Sequence, residues 1–170
     1  CGGDRKSLSL PETQIRLAEA ICDIAKNLVV VVLSGSSVDL GEKINSHAKA
    51  IIHGWYPGAL GGLAVAKLLK GEFSPSGKLP VTFYKQENSL PDFTDYDMSG
   101  RTYRYLKEEP LYPFGFGLGF SKIRYNEAQI ISHDNDSIKL KVSLTNEGEF
   151  DTVEKTQVYA KFTDSRTGTP

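Results

Sequence analysis

Side chains able to perform acid–base or nucleophilic chemistry are scattered along this sequence rather than grouped. His47, His53 and His133 fall in three different predicted elements, and no pair of them has the spacing of a metal site. Ser34-Gly35-Ser36 offers two hydroxyl groups, but the Gly-x-Ser-x-Gly elbow that exposes a nucleophilic serine is absent. We therefore predict neither a metal site nor a catalytic serine. His53 ends a predicted strand and is interpreted as a hydrogen-bonded structural imidazole.

The carboxylates are numerous, but no local pattern brings two of them together. Glu12, Glu19 and Glu42 fall on the polar faces of predicted helices and are interpreted as solvated. Asp39 follows the loop after a predicted parallel strand, which is where open α/β sheets place their ligand contacts. Because no partner carboxylate stands near it, Asp39 is predicted to cap the N-terminus of the next helix.

Aromatic residues gather after the second predicted strand and again between residues 103 and 116. Trp55 and Tyr56 follow a strand end, and two roles stay open for them. Their ring faces suit the C–H faces of sugars at the rim of a substrate site, or they pack under the Pro57-Gly58 turn, since aromatic residues bury large areas. The remaining rings are predicted to clamp a long loop onto the sheet or onto another domain, an interface role: Tyr103, Tyr105, Tyr112, Phe114 and Phe116.

Composition and charge narrow the class of protein. The chain has 170 residues, of which 39% are hydrophobic and 24% charged, an ordinary globular balance. The net charge of -1 and the absence of a long basic block argue against nucleic-acid binding. The longest apolar run, residues 28–33, is far shorter than a membrane span and predicts a buried strand.

The first 70 residues alternate between helical and strand-like patterns. Strands alternating with helices at these lengths predict right-handed crossovers and an open, mostly parallel sheet flanked by helices. The strand at 28–34 contains a run of four β-branched valines and is predicted to be buried on both faces. Gly71 is predicted to cap the third helix. The predicted elements are a helix from Pro11-Glu12, a strand at 28–34, a helix at 42–47, a strand at 50–53 and a helix at 59–69.

Beyond residue 77 the pattern changes twice. From Lys78 short apolar pieces broken by prolines predict a long surface excursion, which is usually functional or part of an interface. Beyond Ser121, residues 138–144 alternate with period two, residues 156–162 are β-rich, and Asn146-Glu147-Gly148 between them predicts a reversal. If Arg101 to Tyr105 is extended, Arg101, Tyr103 and Tyr105 share one face.

Five motifs follow one another in the middle third of the chain: Trp55-Tyr56-Pro57-Gly58, Gly61-Gly62, the string from Ser74 to Phe83, Gly100-Arg101-Thr102-Tyr103-Arg104-Tyr105 and Tyr112-Pro113-Phe114-Gly115-Phe116-Gly117-Leu118. Together these motifs resemble the second, α/β domain of family 3 glycoside hydrolases, over roughly Gly3 to Ser121. The strands that follow resemble the start of the fibronectin type III-like module found in many members. The resemblance therefore implies an α/β domain at 1–122 and a truncated all-β module at 123–170.

The resemblance implies a retaining, exo-acting β-glycosidase of the β-glucosidase or β-xylosidase type, with no cofactor and no metal. Such enzymes use two carboxyl groups. In the family, the nucleophile is an Asp of an N-terminal barrel domain, which would bind the glycan or glycoside substrate, and the acid/base is a Glu shortly before the Gly3-Asp4-Arg5 segment. No residue of this chain matches either position. Asp4 and Arg5 are implied supports of the catalytic loop.

Several alternatives stay open at this stage. The competing function is a non-catalytic module that binds carbohydrate or protein through the aromatic excursion. Cys1-Gly2-Gly3 is compatible with a truncated chain, which we expect, or with a lipoprotein acylated at Cys1. The bacterial cytoplasm, the periplasm and secretion are all compatible with the sequence, and the oligomeric state is open.

Overall fold

The computed structural model describes residues 7–85, 90–92 and 94–160. The chain forms two compact units. The first comprises Cys1–Val65, Leu79–Phe116 and Tyr159–Pro170, and the second comprises Ala66–Lys78 and Gly117–Val158. The predicted domain boundary at residue 122 stays a prediction.

The first part of the chain has the predicted α/β order. Helix α1 (Glu12–Ile24) leads to strand β1 (Val29–Val32), helix α2 (Glu42–His47), strand β2 (Ala50–His53) and helix α3 (Gly61–Leu69). β1 and β2 pair in parallel, with Val29 opposite Ala50 and Val32 opposite His53. The carboxyl ends of both strands therefore lie at one edge of the sheet.

The core of the first unit lies between the sheet and helices α1 and α2. Its buried residues are Cys22, Val32, Val38, Leu40 and Ile44. Cys22 is a free cysteine and is only 4% exposed. Burial of apolar area of this kind is the main stabilising term of the fold.

The prediction that β1 is buried on both faces is wrong. Val32 faces the core, whereas Val29 and Val31 are 43% and 37% exposed. Successive side chains of a strand point to opposite faces, and α1 and α2 pack on only one face of this two-stranded sheet. Alternate valines of β1 therefore stay partly exposed.

The predicted end of α3 is confirmed. Gly71 has φ 72°, a left-handed conformation that costs glycine little and other residues more. The Gly71 amide donates to the Leu68 carbonyl and the Glu72 amide donates to the Lys67 carbonyl. These bonds satisfy carbonyl groups that the last turn of a helix otherwise leaves unpaired.

The excursion that begins at Lys78 has little regular structure in its described residues, as predicted, and its two ends are joined. Phe83 and Tyr112 form an isolated antiparallel bridge. The Leu79 amide donates to the Phe116 carbonyl, and the Gly115 amide donates to the Leu79 carbonyl. Ring contacts between Tyr112 and its neighbours Phe83 and Phe116 reinforce this junction.

The extended conformation considered for Arg101 to Tyr105 is wrong. Residues Thr102–Tyr105 form a single helical turn, α4, so the predicted sharing of one face by alternate residues does not occur. Arg101 explains the difference. Its guanidinium donates to the backbone carbonyls of Asp92, Asp95 and Asp97 at 3.3, 2.6 and 3.0 Å, which fixes the chain just before the turn.

The second unit contains an antiparallel hairpin of β3 (Ile123–His133) and β4 (Ile138–Asn146). The strand predicted at 138–144 is confirmed as β4, whereas β3 was not predicted. The Asp134 side chain shapes the turn by accepting bonds from the amides of Asp136 and Ser137. After β4, the Gly148 amide donates to Asn146 Oδ1 as the chain turns.

The strand predicted at 156–162 is wrong for the part that the structure describes. Residues 151–160 carry no strand, and residues 161–162 lie outside the described part. A strand needs a hydrogen-bonded neighbour, and within the described ranges β4 pairs only with β3. The segment instead makes side-chain contacts: Tyr125 Oη donates to Glu154 Oε1 and lies 3.3 Å from Thr156 Oγ1.

Candidate functional site

A cavity of about 480 Å³ lies in the first unit, beside the carboxyl ends of β1 and β2. Gly35 and Ser36 come from the loop after β1, and Trp55 follows β2 by two residues. Thr82 and Tyr84 come from the start of the excursion, and Thr102 is the first residue of α4. We call this site the aromatic cavity. Open α/β sheets bind ligands at this edge, so its position marks it as the candidate site.

Trp55 is held against the cavity in a strained conformation. Its φ of 51° is one that residues other than glycine adopt rarely. The indole packs on His53 at 4.3 Å and edge-on to Phe83 at 6.3 Å between ring centroids. Strain of this kind costs about 1–3 kcal/mol and persists only when packing enforces it.

Tyr56 lies outside the lining of the aromatic cavity. Its side chain is 81% exposed, and its ring covers Gly35. A Cβ added at Gly35 would lie 2.6 Å from Tyr56 Cε2 and Oη, so a larger residue there would push the exposed Tyr56 ring aside. Tyr56 therefore presents a ring to solvent beside the loop that follows β1.

Thr102 is the second strained residue of the cavity. Its φ is 57°, and its backbone amide donates to Tyr84 Oη at 2.9 Å. Trp55 and Thr102 are the only residues other than glycine with positive φ in the described part of the chain, and both line this cavity. Backbone strain concentrates at functional sites, so the coincidence supports a binding role.

Thr82 lines the cavity and holds a buried polar atom. The residue is only 8% exposed, and its Oγ1 has no hydrogen-bond partner among residues 7–85, 90–92 and 94–160. A buried hydroxyl without a partner costs about 1–3 kcal/mol. Such groups are rare in folded proteins.

His53 is hydrogen-bonded through Nε2, as predicted for a structural imidazole, but its Nδ1 has no partner in the described part of the chain. Ser34 Oγ donates to the Ser36 carbonyl at 2.8 Å, so its contact with His53 Nε2 at 3.3 Å is one in which the imidazole donates. Nδ1 is then an acceptor, and it has no partner in the described part of the chain. Burial lowers the pKa of His53, against an opposing effect of the Ser36 carbonyl, and favours the neutral ring.

Tyr103 and Phe114 form a further wall of the cavity. Their rings stack with centroids 4.6 Å apart and planes 21° apart. Arg104 lies over the same tyrosine, with its guanidinium carbon 5.7 Å from the ring centroid. These two aromatic residues thus pack on each other within the excursion and line the cavity, and their clamping of the excursion onto the sheet or onto another domain stays a prediction.

Other residues singled out from the sequence lie elsewhere. Asp4 and Arg5 fall outside the described residues. The N-cap predicted at Asp39 is wrong, because α2 begins at Glu42 after Gly41, and Asp39 Oδ1 accepts the Gly41 amide in the turn before it. The glutamates predicted to be solvated are exposed at Glu12 and Glu42, whereas Glu19 is partly buried.

Thr82, Tyr84 and Thr102 were not predicted as site residues. Thr82 stands inside a motif noted in the sequence, but nothing in its type or spacing distinguishes it from a packing residue. In the described segments no three His, Cys, Asp or Glu side chains come together as metal ligands. None of the helices described is long and apolar enough to cross a membrane.

The fold and the strand-end cavity define an α/β domain of the open-sheet type, and comparison with known proteins gives its family. Residues 2–120 match the glycosyl hydrolase family 3 C-terminal domain. The chain belongs to this family, as the sequence motifs predicted.

Relatives and solved structures agree with this assignment. The chain is 40% identical over 161 residues to the xylan 1,4-beta-xylosidase of Xylanibacter ruminicola, a match covering 94% of this chain and 18% of that protein. It is 33% identical over 179 residues to the beta-glucosidase BoGH3A of Bacteroides ovatus, covering 93% of this chain and 24% of that protein. The crystal structure of DesR, a beta-glucosidase from Streptomyces venezuelae, superposes with a TM-score of 0.76 at 33% identity, covering 86% of this chain and 21% of that one.

The chain spans about a fifth of the length of the curated relatives that it matches, between 18% and 24% for the two named here. These relatives are glycosidases, and the part of them that this chain matches is their C-terminal portion.

Proposed function

We propose that this chain is the C-terminal portion of a retaining, exo-acting β-glycosidase that removes terminal β-linked xylose or glucose from glycans or glycosides. The match of residues 2–120 to the family 3 C-terminal domain carries the proposal. The names of the relatives, β-xylosidase and β-glucosidase, supply the substrate class.

The chemistry of a retaining glycosidase explains why we place the catalytic groups outside this chain. The reaction needs two carboxyl groups about 5 Å apart, one as nucleophile and the other first as acid and then as base. No carboxylate of the described residues lines the aromatic cavity. In the proposed enzyme an N-terminal barrel domain contributes the nucleophile and binds the substrate, and a Glu in the loop before Asp4 is the acid/base.

Two pairs of residues in this chain have supporting roles in the proposal. Asp4 and Arg5 hold the loop that carries the acid/base by hydrogen bonding. Trp55 and Tyr56 contact the glycan at the rim of the substrate site. The high exposure of the Tyr56 ring, which covers Gly35, supports the second role.

Turnover of aryl β-xylosides and aryl β-glucosides tests the proposal. We expect the longer protein encoded by the parent gene to hydrolyse one or both, and the 170-residue chain to hydrolyse neither. Asp4→Ala in the longer protein should lower kcat by about tenfold or more, because a misplaced catalytic group loses much of its effect.

Two outcomes would contradict this proposal. Turnover by the 170-residue chain, abolished by Asp4→Ala, would make Asp4 a catalytic group and overturn the assignment of the catalytic residues. A longer protein that binds glycans but hydrolyses none would favour the non-catalytic binding module instead.

A further inference from the structure

We propose that protonation of His53 switches Trp55 between two positions, packed in the wall of the aromatic cavity when the imidazole is neutral and released toward solvent when it is charged. The switch is a local change within the folded first unit, and it does not depend on the proposed glycosidase activity. It connects a buried nitrogen that has no partner with a strained residue two positions further along the chain.

The imidazole of His53 cannot take up a second proton favourably in its present position. Nε2 already donates to Ser34 Oγ, so an added proton goes to Nδ1. Nδ1 has almost no accessible surface and no hydrogen-bond partner among residues 7–85, 90–92 and 94–160. A charged N–H group buried without an acceptor is costly. That cost is removed when the ring moves and Nδ1 meets water, so protonation favours a displaced imidazole.

The groups that contact the ring supply no negative charge in the described part of the chain. They are the Ser34 hydroxyl, the indole of Trp55 and the phenyl ring of Phe83. Attraction between an imidazolium and the two aromatic rings opposes the displacement, but it leaves the proton on Nδ1 without an acceptor. Burial accordingly lowers the pKa of His53, against an opposing effect of the Ser36 carbonyl.

The titratable groups that lie beyond this first layer do not change the balance in mild acid. Tyr112 packs on Phe83, with ring centroids 6.0 Å apart. Burial raises the pKa of Tyr112, and the charge of Asp39 raises it further, so the phenol stays neutral. Protonation of His53 is therefore the charge change to expect at this edge of the sheet as the pH falls below about 6.5.

Trp55 is held by two opposing influences, which is what a switch requires. Its φ of 51° disfavours the present backbone conformation. Its ring contacts maintain that conformation, the closer one to His53 at 4.3 Å and the other to Phe83 at 6.3 Å between centroids. Displacement of the imidazole removes the closer contact, and the backbone strain then favours release. Because Trp55 lines the aromatic cavity, its release opens the cavity on the side of β2.

Tryptophan fluorescence tests the proposal directly. Trp55 is the single tryptophan of the chain, so its emission reports on this residue alone. The chain is titrated from about pH 7.5 to about pH 5, and the emission maximum and the acrylamide quenching constant are measured at each pH. Far-UV circular dichroism of the same samples shows whether the fold is retained.

Two variants remove the titration while retaining different contacts. His53→Phe keeps an aromatic ring against Trp55, and His53→Gln keeps an amide that can donate to Ser34. Neither replacement takes up a proton in this pH range. His133→Gln, at an exposed position in β3, is the matched control.

We expect the emission maximum to shift to longer wavelength and the quenching constant to rise as the pH falls, with a midpoint below about 6.5 and unchanged circular dichroism. Both changes should be absent in the two His53 variants and present in His133→Gln.

Three outcomes overturn the proposal. A loss of intensity without a wavelength shift or a rise in the quenching constant means that an imidazolium quenches an indole that has not moved. The same transition in a folded His53 variant means that another group causes it. A wavelength shift that coincides with loss of the circular dichroism signal is unfolding of the chain rather than a local switch.

Discussion

The backbone amide of Thr102 donates to the phenolic oxygen of Tyr84 at 2.9 Å. This bond joins the start of the excursion to the turn α4, and it is made by a residue whose φ of 57° is unfavourable for a β-branched side chain. The hydrogen bond to Tyr84 therefore stabilises this wall of the cavity, and the backbone strain at Thr102 destabilises it.

Relief of that strain should be measurable. Thr102→Gly is expected to stabilise the chain by about 1 kcal/mol, because glycine adopts a positive φ without penalty. Ala20→Gly, at an exposed position in the middle of α1, is the control and should destabilise by about 1 kcal/mol. Urea unfolding measures both changes, and a loss of stability in both variants would show that Thr102 is not strained.

The two glycines Gly77 and Gly117 provide a matched pair in the second unit. A Cβ at Gly117 would overlap the carbonyl oxygen of Gly77, whereas a Cβ at Gly77 would meet nothing within 4 Å. Gly117→Ala should therefore destabilise by about 2 kcal/mol through overpacking, and Gly77→Ala should be neutral or slightly stabilising. Thermal melts compare them, and equal effects would contradict this account of the close approach.

Replacing Arg101 by alanine and replacing Arg104 by alanine should have different effects on stability, although the two residues are only three positions apart. Arg101 bonds to three backbone carbonyls, so Arg101→Ala should cost about 1.5 kcal/mol, reduced from the sum of its bonds by solvent exposure. Arg104 lies over the Tyr103 ring and its Nε donates to Tyr103 Oη at 3.3 Å, both at the exposed surface, so Arg104→Ala should cost less stability than Arg101→Ala. Limited proteolysis of residues 90–100 should accelerate in the first variant alone. Similar protection of both variants would remove the anchoring role of Arg101.

His53 should make stability fall in mild acid. Burial lowers its pKa in the folded chain, so the unfolded chain takes up the proton first as the pH drops below the ordinary histidine value of about 6.5. The contribution is present above that value and is lost as the pH falls through the lowered one. His53→Phe keeps the ring contacts with Trp55 and Phe83 and removes the titration.

Melting temperatures between about pH 7.5 and pH 5.5 test this effect of His53. The chain should lose stability over that interval, and His53→Phe should lose less. His133→Gln, at an exposed position in β3, should behave like the unchanged chain. Parallel curves for the chain and His53→Phe would mean that His53 does not cause the loss.

The elements of the α/β part could be predicted because local signals and tertiary packing agree there. The predicted bounds of α2 and β2 match the structure, and Gly71 ends α3 through a conformation that its type favours. Strand β3 was not predicted. Its register shifts between Tyr125 and Glu127 and between Ile130 and Ser132 interrupt the alternation of inward and outward side chains. A hairpin with such shifts has no simple alternation to detect.

The candidate site was only partly predictable, and the reason is physical. Trp55 stood out by type and by its place after a strand, and the structure places it in the aromatic cavity. The roles of Thr82 and Thr102 depend on burial without a partner and on backbone strain, and both properties arise only after the excursion packs on the strand ends. Neither property can be predicted from residue type and spacing.

The two register shifts of β3 also bear on association between chains. Within the described residues β3 pairs with β4 alone, so its outer edge presents unpaired amide and carbonyl groups. A flat edge of this kind invites strand addition by another molecule, whereas bulges twist the edge and disturb the spacing of its donors and acceptors. The irregularity of β3 thus makes that edge a poor template for aggregation.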